Sequence, residues 1–269
     1  QYLEERAKEK KPFFLYFPAC PPHSPIVPAA DFVGKSGIDG KEGKYADWVY
    51  QGDHMLGQIM DALKRTNLEK NTLIIATGDN GAAKRPYPPL REAKSSIYEG
   101  GHREPFIARW PDKIKAGSLN HDVICLNDLF ATCADILGAN LPADAAEDSV
   151  SILPGLLGKA NGPMREATIN QAPAGLAIRQ GPWKFIMYRN GNRELYNLKD
   201  DISETKDVSR TNTEVVGQLE KLMQRYIDRG RSTPGPVQKN EFELPFGKSV
   251  ANKRNKKNRE GKGSSLKKK

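Results

Sequence analysis

The chain has 269 residues, of which 38% are hydrophobic and 28% charged, and its formal net charge is +9. This composition is ordinary for a globular protein, and the length allows one large domain or one domain with a smaller companion. No apolar run approaches the roughly 20 residues of a membrane-spanning helix, so the sequence predicts no membrane span.

The excess positive charge belongs to the last 22 residues. Residues 248–269 contain ten Lys or Arg and one acid, which leaves 32 basic and 32 acidic residues in residues 1–247. A segment with so few apolar residues cannot bury enough surface to fold, so we expect a solvated, disordered tail. Weak attraction of this basic tail to a polyanion, such as a sulfated glycan or nucleic acid, is the alternative.

Three cysteines make no disulfide framework. Cys125 and Cys133 are eight residues apart on a predicted helix, about 12 Å along its axis and too far apart to bridge. We therefore expect thiols in the core, with Cys20 also unpaired. The chain opens at Gln1, inside a polar stretch with a helical pattern (2–11), which favours a fragment whose sequence does not reveal its compartment.

The first half of the chain reads as alternating strands and helices. The apolar run "PFFLYF" (12–17) is typical of a strand covered on both faces, and a proline-rich loop follows it. Residues 45–63 carry apolar side chains at helical spacing, and residues 73–77 predict a further strand. A strand, a long helix and a strand make a βαβ unit, which predicts a mainly parallel sheet sandwiched by helices.

The second half has a different pattern. It begins with an irregular loop (82–104), a strand at 105–110 and an amphipathic helix over 126–137 that ends at Gly138. Short strands are then predicted near 166–170, 176–180, 184–188 and 194–197. Asn190-Gly191 is a hairpin signal, and a helix at 212–229 closes the globular part. We predict an α/β domain (1–160), a small C-terminal antiparallel sheet with a helix (161–247) and the basic tail (248–269).

Asp79 and Asn80 stand at the tip of the 73–77 strand, between two glycines. In open α/β sheets functional groups gather at the carboxyl ends of the strands. A carboxylate beside a carboxamide offers hard oxygen ligands for Ca²⁺ or Mg²⁺, and the glycines allow the sharp turn that this requires. An ordinary β-turn remains the alternative, because Asp, Asn and Gly are also the usual turn residues.

His23 and Lys94 are further candidates. Prolines surround His23 directly after the first strand, and an imidazole there can exchange a proton at neutral pH, although a solvated loop histidine is the alternative. Lys94 lies in "REAKSSIYEGGHREP". A surface charge is the alternative for it, because most lysines are exposed. The neighbouring run His102-Arg103-Glu104 favours a structural ion pair.

Three motifs in this order resemble the sulfatase family, the formylglycine-dependent branch of the alkaline phosphatase superfamily. They are "KPFFLYF…PHSP", "TLIIATGDNG" and "KSSIYEGGHREPFIARWP", and "DLFATCADILG" and "GPWKFIMYRNGNRELYNLKDDISETKDVS" resemble the helix and C-terminal subdomain that follow them in that family. The resemblance spans residues 11 to about 230. It implies an alkaline phosphatase-like fold and hydrolysis of a sulfate monoester carried by a small molecule or a carbohydrate.

The resemblance also implies roles for the four candidates. Asp79 and Asn80 fall on two ligands of the family's divalent cation, usually Ca²⁺ with Mg²⁺ as the alternative, and His23 and Lys94 fall on the pair that contacts the sulfate and the leaving oxygen. The family's nucleophile is a formylglycine made in a C-x-P-x-R motif, or its serine counterpart, which this sequence lacks. "CPPHS" (20–24) has Ser24 where the Arg is needed. The nucleophile is therefore expected upstream of this chain, which would be inactive alone.

Two other functions remain open. A phosphate or phosphonate ester hydrolase would keep the same fold, and a non-catalytic protein that binds polyanions would depend on the basic tail. The resemblance implies a periplasmic or extracellular location. The natural substrate cannot be read from the sequence.

Overall fold

A computed structural model describes residues 1–9 and 11–240. The predicted tail at 248–269 lies outside these residues. The chain divides into two compact units, one made of residues 1–74 and 108–116 and the other of residues 75–107 and the chain from 117 onward. Within the described residues, no helix combines the length and apolar character needed to cross a membrane.

Six helices and six strands have the following bounds in the described residues. The helices are α1 (Tyr2–Glu9), α2 (Gly43–Arg65), α3 (Glu99–His102), α4 (Asp128–Ile136), α5 (Leu153–Leu156) and α6 (Thr213–Arg229). The strands are β1 (Ile74–Thr77), β2 (Phe106–Arg109), β3 (Thr168–Ala172), β4 (Gly175–Gln180), β5 (Trp183–Tyr188) and β6 (Arg193–Asn197). Short 3₁₀ turns occur at Ala30–Phe32, Gly40–Glu42 and Glu69–Asn71. The predicted helices and strands are therefore found, with one exception.

The exception is the predicted first strand. Residues 12–17 form no strand, and Phe14 and Tyr16 are 75% and 77% exposed. An apolar run becomes a strand only when neighbouring strands pair with its backbone and cover its faces, and the described residues supply no such neighbours. β1 and β2 make a two-stranded sheet, so the predicted parallel core is not confirmed.

The C-terminal sheet of the second unit is antiparallel, as predicted, with the strand order β3-β4-β5-β6. Its strands are joined in sequence by tight connections, and Phe185 faces Ile178 on one side and Leu195 on the other. The Asn190-Gly191 signal forms the β5–β6 hairpin, where Gly191 adopts the left-handed backbone (φ 89°) that a glycine tolerates best.

Both faces of this sheet are covered. On one face Ile178, Phe185 and Leu195, each with no exposed surface, pack against Leu219 and Met223 of α6. The other face carries a second buried cluster with the loop segment that precedes α3. That cluster comprises Ile97, Tyr98, Ala172, Ala177, Ile186, Tyr196 and Leu198. Because side chains alternate along a strand, Lys184 lies on the same face as Ile186 and therefore faces the α3 segment.

Helix α4 does not bury the face that its apolar pattern predicts. Phe130 and Leu137 are 59% and 71% exposed, whereas Asp128 and Thr132 are buried. The Asp128 carboxylate accepts hydrogen bonds from the Cys125 and Val150 amides and from the Arg165 guanidinium, 2.7 Å away. These polar contacts orient the helix in this unit. Cys125 and Cys133 are unpaired, as predicted, but only half-buried, and Cys20 is exposed.

Candidate active site

The Asp79-Asn80 turn follows β1 directly and is held by close backbone contact with α3. The Gly81 amide donates to the Gly101 carbonyl over 3.0 Å. Gly81 is buried, and a Cβ there would lie 1.9 Å from the Gly100 carbonyl oxygen, so only a glycine fits. Asp79 is exposed and Asn80 half-buried. The sequence thus places an accessible carboxylate and carboxamide on a turn with a fixed backbone.

The loop that carries Lys94 lies beside this turn. The Lys94 amide points at the Ala82 carbonyl, with a nitrogen–oxygen distance of 3.4 Å. Glu92 and Ser95, on either side of Lys94, have left-handed backbone (φ 59° and 73°). A non-glycine residue adopts this conformation only where its surroundings enforce it, and such residues concentrate at functional sites. The Lys94 side chain is exposed. Two of the predicted site segments are therefore neighbours.

Glu104 also faces the Asp79-Asn80 turn. A Cβ at Gly78 would lie 2.4 Å from Glu104 Oε2, which places the carboxylate against the turn. Burial, and then the negative charge of Asp79, raise the pKa of the Glu104 carboxyl. Glu104 is thus not in the predicted ion pair: Arg103 instead pairs with Glu99, over 3.2 Å. Arg103 and Glu99 stand four residues apart, on one face of a helical turn, whereas adjacent residues point in different directions.

The chemistry of this turn fits a hard divalent cation. Asp79 offers a charged oxygen and Asn80 a neutral one, as Ca²⁺ and Mg²⁺ prefer. The repulsion between the Asp79 and Glu104 carboxylates is of the kind that a cation relieves. In the part of the chain that the structure describes, no three His, Cys, Asp or Glu side chains group in a way that could hold a metal ion.

His23 belongs to the first compact unit and the other three candidates to the second. It is exposed, and its Nδ1 lies 2.6 Å from the Ser24 carbonyl oxygen. The loop is fixed by two hydrogen bonds: the His23 amide donates to the Cys20 carbonyl (2.9 Å), and Trp48 Nε1 of α2 donates to the His23 carbonyl (3.0 Å). The imidazole is thus accessible on a held backbone. Its approach to Asp79 remains a prediction.

A buried group of charges lies behind α3. Lys184, 1% exposed, places its Nζ 3.0 Å from Glu99 Oε1 and 2.8 Å from Glu204 Oε1. Burial acts to raise the pKa of Glu99, but the Lys184 charge, with help from its neighbours, lowers it overall. Burial raises the pKa of Glu204 despite the same ammonium group. Burial, and then the positive charge of Lys184, lower the pKa of His102 to about 4, so its imidazole is neutral at pH 7.

Comparison with known proteins decides the family. The model of the Sulfatase family matches residues 1–139, and that of the N-sulphoglucosamine sulphohydrolase C-terminal region matches residues 93–229. The chain belongs to the sulfatase family. An N-acetylgalactosamine-6-O-sulfatase of Bacteroides thetaiotaomicron is 35% identical over 80% of this chain and 47% of its own length. The human N-acetylgalactosamine-6-sulfatase is 34% identical over 58% of this chain and 32% of its length.

Solved sulfatase structures share the fold. One, from work on the metabolism of multiple glycosaminoglycans by Bacteroides thetaiotaomicron, superposes with a TM-score of 0.74 at 33% identity and covers 83% of this chain and 52% of its own. Another, Ps i-CgsB in complex with k-i-k-neocarrahexaose, has a TM-score of 0.77 at 27% identity, with 88% of this chain and 55% of its own covered. This sulfatase chain thus spans between about a third and about a half of the length of the relatives that it matches, and its structural neighbours have the alkaline phosphatase-like fold.

The sequence reasoning missed Glu99, Lys184, Glu204 and the position of Glu104. The sequence does carry a signal for Lys184, because this residue interrupts the apolar strand "WKFIMY". It lies on the same face of the strand as Ile186 and Tyr188, which point into the protein. A lysine is almost never fully buried unless it is paired. Its partners lie at residues 99 and 204, too far along the chain for any local pattern to indicate them.

Proposed function

We propose that this chain is the C-terminal portion of a sulfuric ester hydrolase that acts on a sulfated carbohydrate. The observation that carries the proposal is the pair of backbone contacts, Gly81 to Gly101 and Ala82 to Lys94, that set the Asp79-Asn80 turn beside the Lys94 loop. Family membership and the two N-acetylgalactosamine-6-sulfatase relatives support the reaction and the substrate class. A 6-O-sulfated N-acetylgalactosamine is the first substrate to test.

Each residue has a chemical task in this proposal. A sulfate monoester is anionic, so Asp79 and Asn80 would hold the divalent cation, Ca²⁺ or Mg²⁺, that grips its oxygens. Lys94 would place positive charge next to the sulfate, and His23 would bind the leaving oxygen and hold the proton that it takes up. When present, the formylglycine supplies the nucleophile and the cation supplies charge neutralisation.

Two apolar surfaces support the view that this chain is one portion of a larger catalytic domain. Most of the apolar run at 12–17 in the first unit is exposed, as are Phe130 of α4 and Leu137, the residue after α4, in the second. A contiguous exposed run such as 12–17 is the kind of apolar surface that marks an interface. We propose that the remaining strands of a parallel sheet sandwiched by helices cover residues 12–17. The domain boundary at 160, a formylglycine motif upstream of residue 1 and a periplasmic or extracellular location belong to the same proposal.

The test is sulfate release by the protein encoded by the whole reading frame. We expect it to hydrolyse 4-nitrophenyl sulfate and N-acetylgalactosamine-6-sulfate, and chelation of divalent cations to abolish the activity. Asp79→Ala should lower kcat/KM by about 10²–10³ with little change in Tm, because the side chain is exposed. Asp61→Ala removes another exposed carboxylate, on α2, and serves as the matched control.

Two outcomes separate the alternatives. Faster hydrolysis of 4-nitrophenyl phosphate than of the sulfate would favour a phosphate or phosphonate esterase of the same superfamily. Absence of both activities, together with salt-sensitive glycan or nucleic-acid binding that disappears on removal of residues 248–269, would favour a non-catalytic polyanion-binding protein. A reading frame without a C-x-P-x-R or S-x-P-x-R motif would exclude the formylglycine mechanism.

A further inference from the structure

Glu204 connects three parts of the second unit. Its Oε2 accepts a hydrogen bond from the Glu99 amide (2.6 Å), and its carbonyl accepts one from the Arg91 guanidinium (2.7 Å). Its Oε1 forms an ion pair with Lys184. Glu204 has no exposed surface, and its backbone is left-handed (φ 51°). A buried acidic residue in that conformation carries both a desolvation cost and a backbone cost, so many contacts must hold it in place.

Lys184 supplies the charge that this arrangement needs. It is the second residue of β5, on the face that the α3 segment covers, and its ammonium bridges the Glu99 and Glu204 carboxylates. His102 Nε2 lies 3.2 Å from the same ammonium, and Arg179 NH1 lies 3.4 Å from Glu99 Oε2. The C-terminal sheet therefore holds Glu99, the first residue of α3, through ion pairs with Lys184, which is buried, and with Arg179, which is partly exposed.

Backbone hydrogen bonds continue from this ionic cluster to the candidate site. Glu99 begins α3, and the next residue, Gly100, donates its amide to the Arg91 carbonyl over 2.9 Å, at the start of the loop that carries Lys94. Gly101 accepts the Gly81 amide from the turn of Asp79 and Asn80. A Cβ at Gly100 would lie 2.3 Å from the Glu92 carbonyl oxygen, so α3 packs directly against the backbone of the Lys94 loop.

We propose that Lys184 and Glu204 of the C-terminal subdomain are positioning residues for the sulfatase site. They hold α3, and α3 in turn holds the Asp79-Asn80 turn and the Lys94 loop. Neither residue touches the substrate in this arrangement. The catalytic consequence rests on the proposed function, whereas the mechanical coupling between subdomain and turn does not, and the experiment separates the two.

The first measurement is amide hydrogen exchange on the whole protein. In the wild type, the Gly81 and Gly100 amides should open together with the central amides of β5 and β6, with protection within about tenfold of those strands. Exchange at Gly81 that is more than about 100-fold faster than in β5 would overturn the coupling, because the turn would then open on its own.

Variants make the coupling causal. Lys184→Met keeps an unbranched side chain that is one atom shorter and removes its charge. We expect Gly81 to exchange about 100-fold faster or more, beyond the change seen in α6. Arg165→Met is the matched control, since Arg165 forms a similarly buried pair with Asp128 but has no tie to α3. An unchanged rate at Gly81 in folded Lys184→Met, or an equal increase in Arg165→Met, would contradict the proposal. Glu204→Gln, which retains an acceptor for the Glu99 amide, replaces Lys184→Met if that variant does not fold.

Kinetics of the whole protein then test the consequence. Lys184→Met should lower kcat by about tenfold or more while KM changes by less than about threefold, and Arg165→Met should leave both close to wild type. If the wild type releases no sulfate, the proposed function fails, and the exchange data still decide the coupling. A wild-type kcat in a Lys184→Met protein whose Gly81 amide has lost protection would refute the positioning role.

Discussion

Replacing Gly81 by alanine tests how closely the Asp79-Asn80 turn depends on its contact with α3. A Cβ there would lie 1.9 Å from the Gly100 carbonyl oxygen, 1.1 Å inside the 3.0 Å that real Cβ contacts observe. The Cβ is bonded rigidly to the backbone of residue 81, and the oxygen belongs to the backbone of the buried Gly100, so no flexible side chain can move aside. The turn must therefore move by about 1 Å, which strains or breaks the hydrogen bond from Gly81 to Gly101.

This displacement gives two magnitudes. Overpacking a buried contact of this kind costs about 1–3 kcal/mol of unfolding free energy. A shift of about 1 Å in a group that binds the reacting centre costs about 10² in rate. Gly217→Ala is the matched control: a Cβ on this residue of α6 meets nothing within 4 Å, so the variant should be about 0.5–1 kcal/mol more stable with unchanged activity.

The assay combines urea unfolding of this chain with steady-state sulfate release by the whole protein. We expect Gly81→Ala to lose both stability and kcat, and the loss of kcat to persist at temperatures where the variant is fully folded. A folded Gly81→Ala with wild-type kcat would refute the link between α3 and the Asp79-Asn80 turn. A destabilised Gly217→Ala would show that alanine harms the fold even where space is open.

Two further predictions concern stability. His102 has a pKa of about 4 in the folded chain, below the unfolded value of about 6.5, so the unfolded state binds more protons between these values and stability falls as the pH falls through this window. From pH 7 to pH 5 we expect the wild type to lose about 2 kcal/mol more unfolding free energy than His102→Gln, measured by urea unfolding. Equal losses would contradict the buried, neutral imidazole. Ile178→Ala should lower the unfolding free energy by about 2–5 kcal/mol, because this side chain has no exposed surface between the sheet and α6. Ile107→Ala, at a 64% exposed position, should stay within about 0.5 kcal/mol of wild type in thermal unfolding. Similar losses for both variants would refute the assigned core.

Local patterns predicted most elements of this sulfatase chain. The helical spacing of apolar residues in 45–63 and the Asn190-Gly191 turn are short-range signals, and the structure has α2 and the β5–β6 hairpin at these places. The strand predicted at 12–17 is wrong because a buried strand depends on neighbouring strands that the run itself does not encode. In α4 the contacts of Asp128 outweigh the apolar pattern.

The candidate site could be predicted only in part. The position of Asp79 and Asn80 at a strand end, and the motif around Lys94, were visible because strand ends and short motifs are local features. The charges that hold these segments were not visible, since Glu99 and Lys184 are 85 residues apart and meet only through the fold of the sheet. The position of Glu104 beside Asp79 was not visible either, because the Glu104 carboxylate reaches Gly78 only in the folded chain.

The most direct test of the proposed site is a crystal structure of the whole protein with Ca²⁺ and a sulfate ester analogue. We predict one cation with oxygens of Asp79 and Asn80 at about 2.3–2.6 Å, and the His23 imidazole and the Lys94 ammonium in contact with the bound anion. A cation bound elsewhere, or an Asp79 carboxylate that points away from both His23 and Lys94, would contradict the convergence on which the proposed function depends.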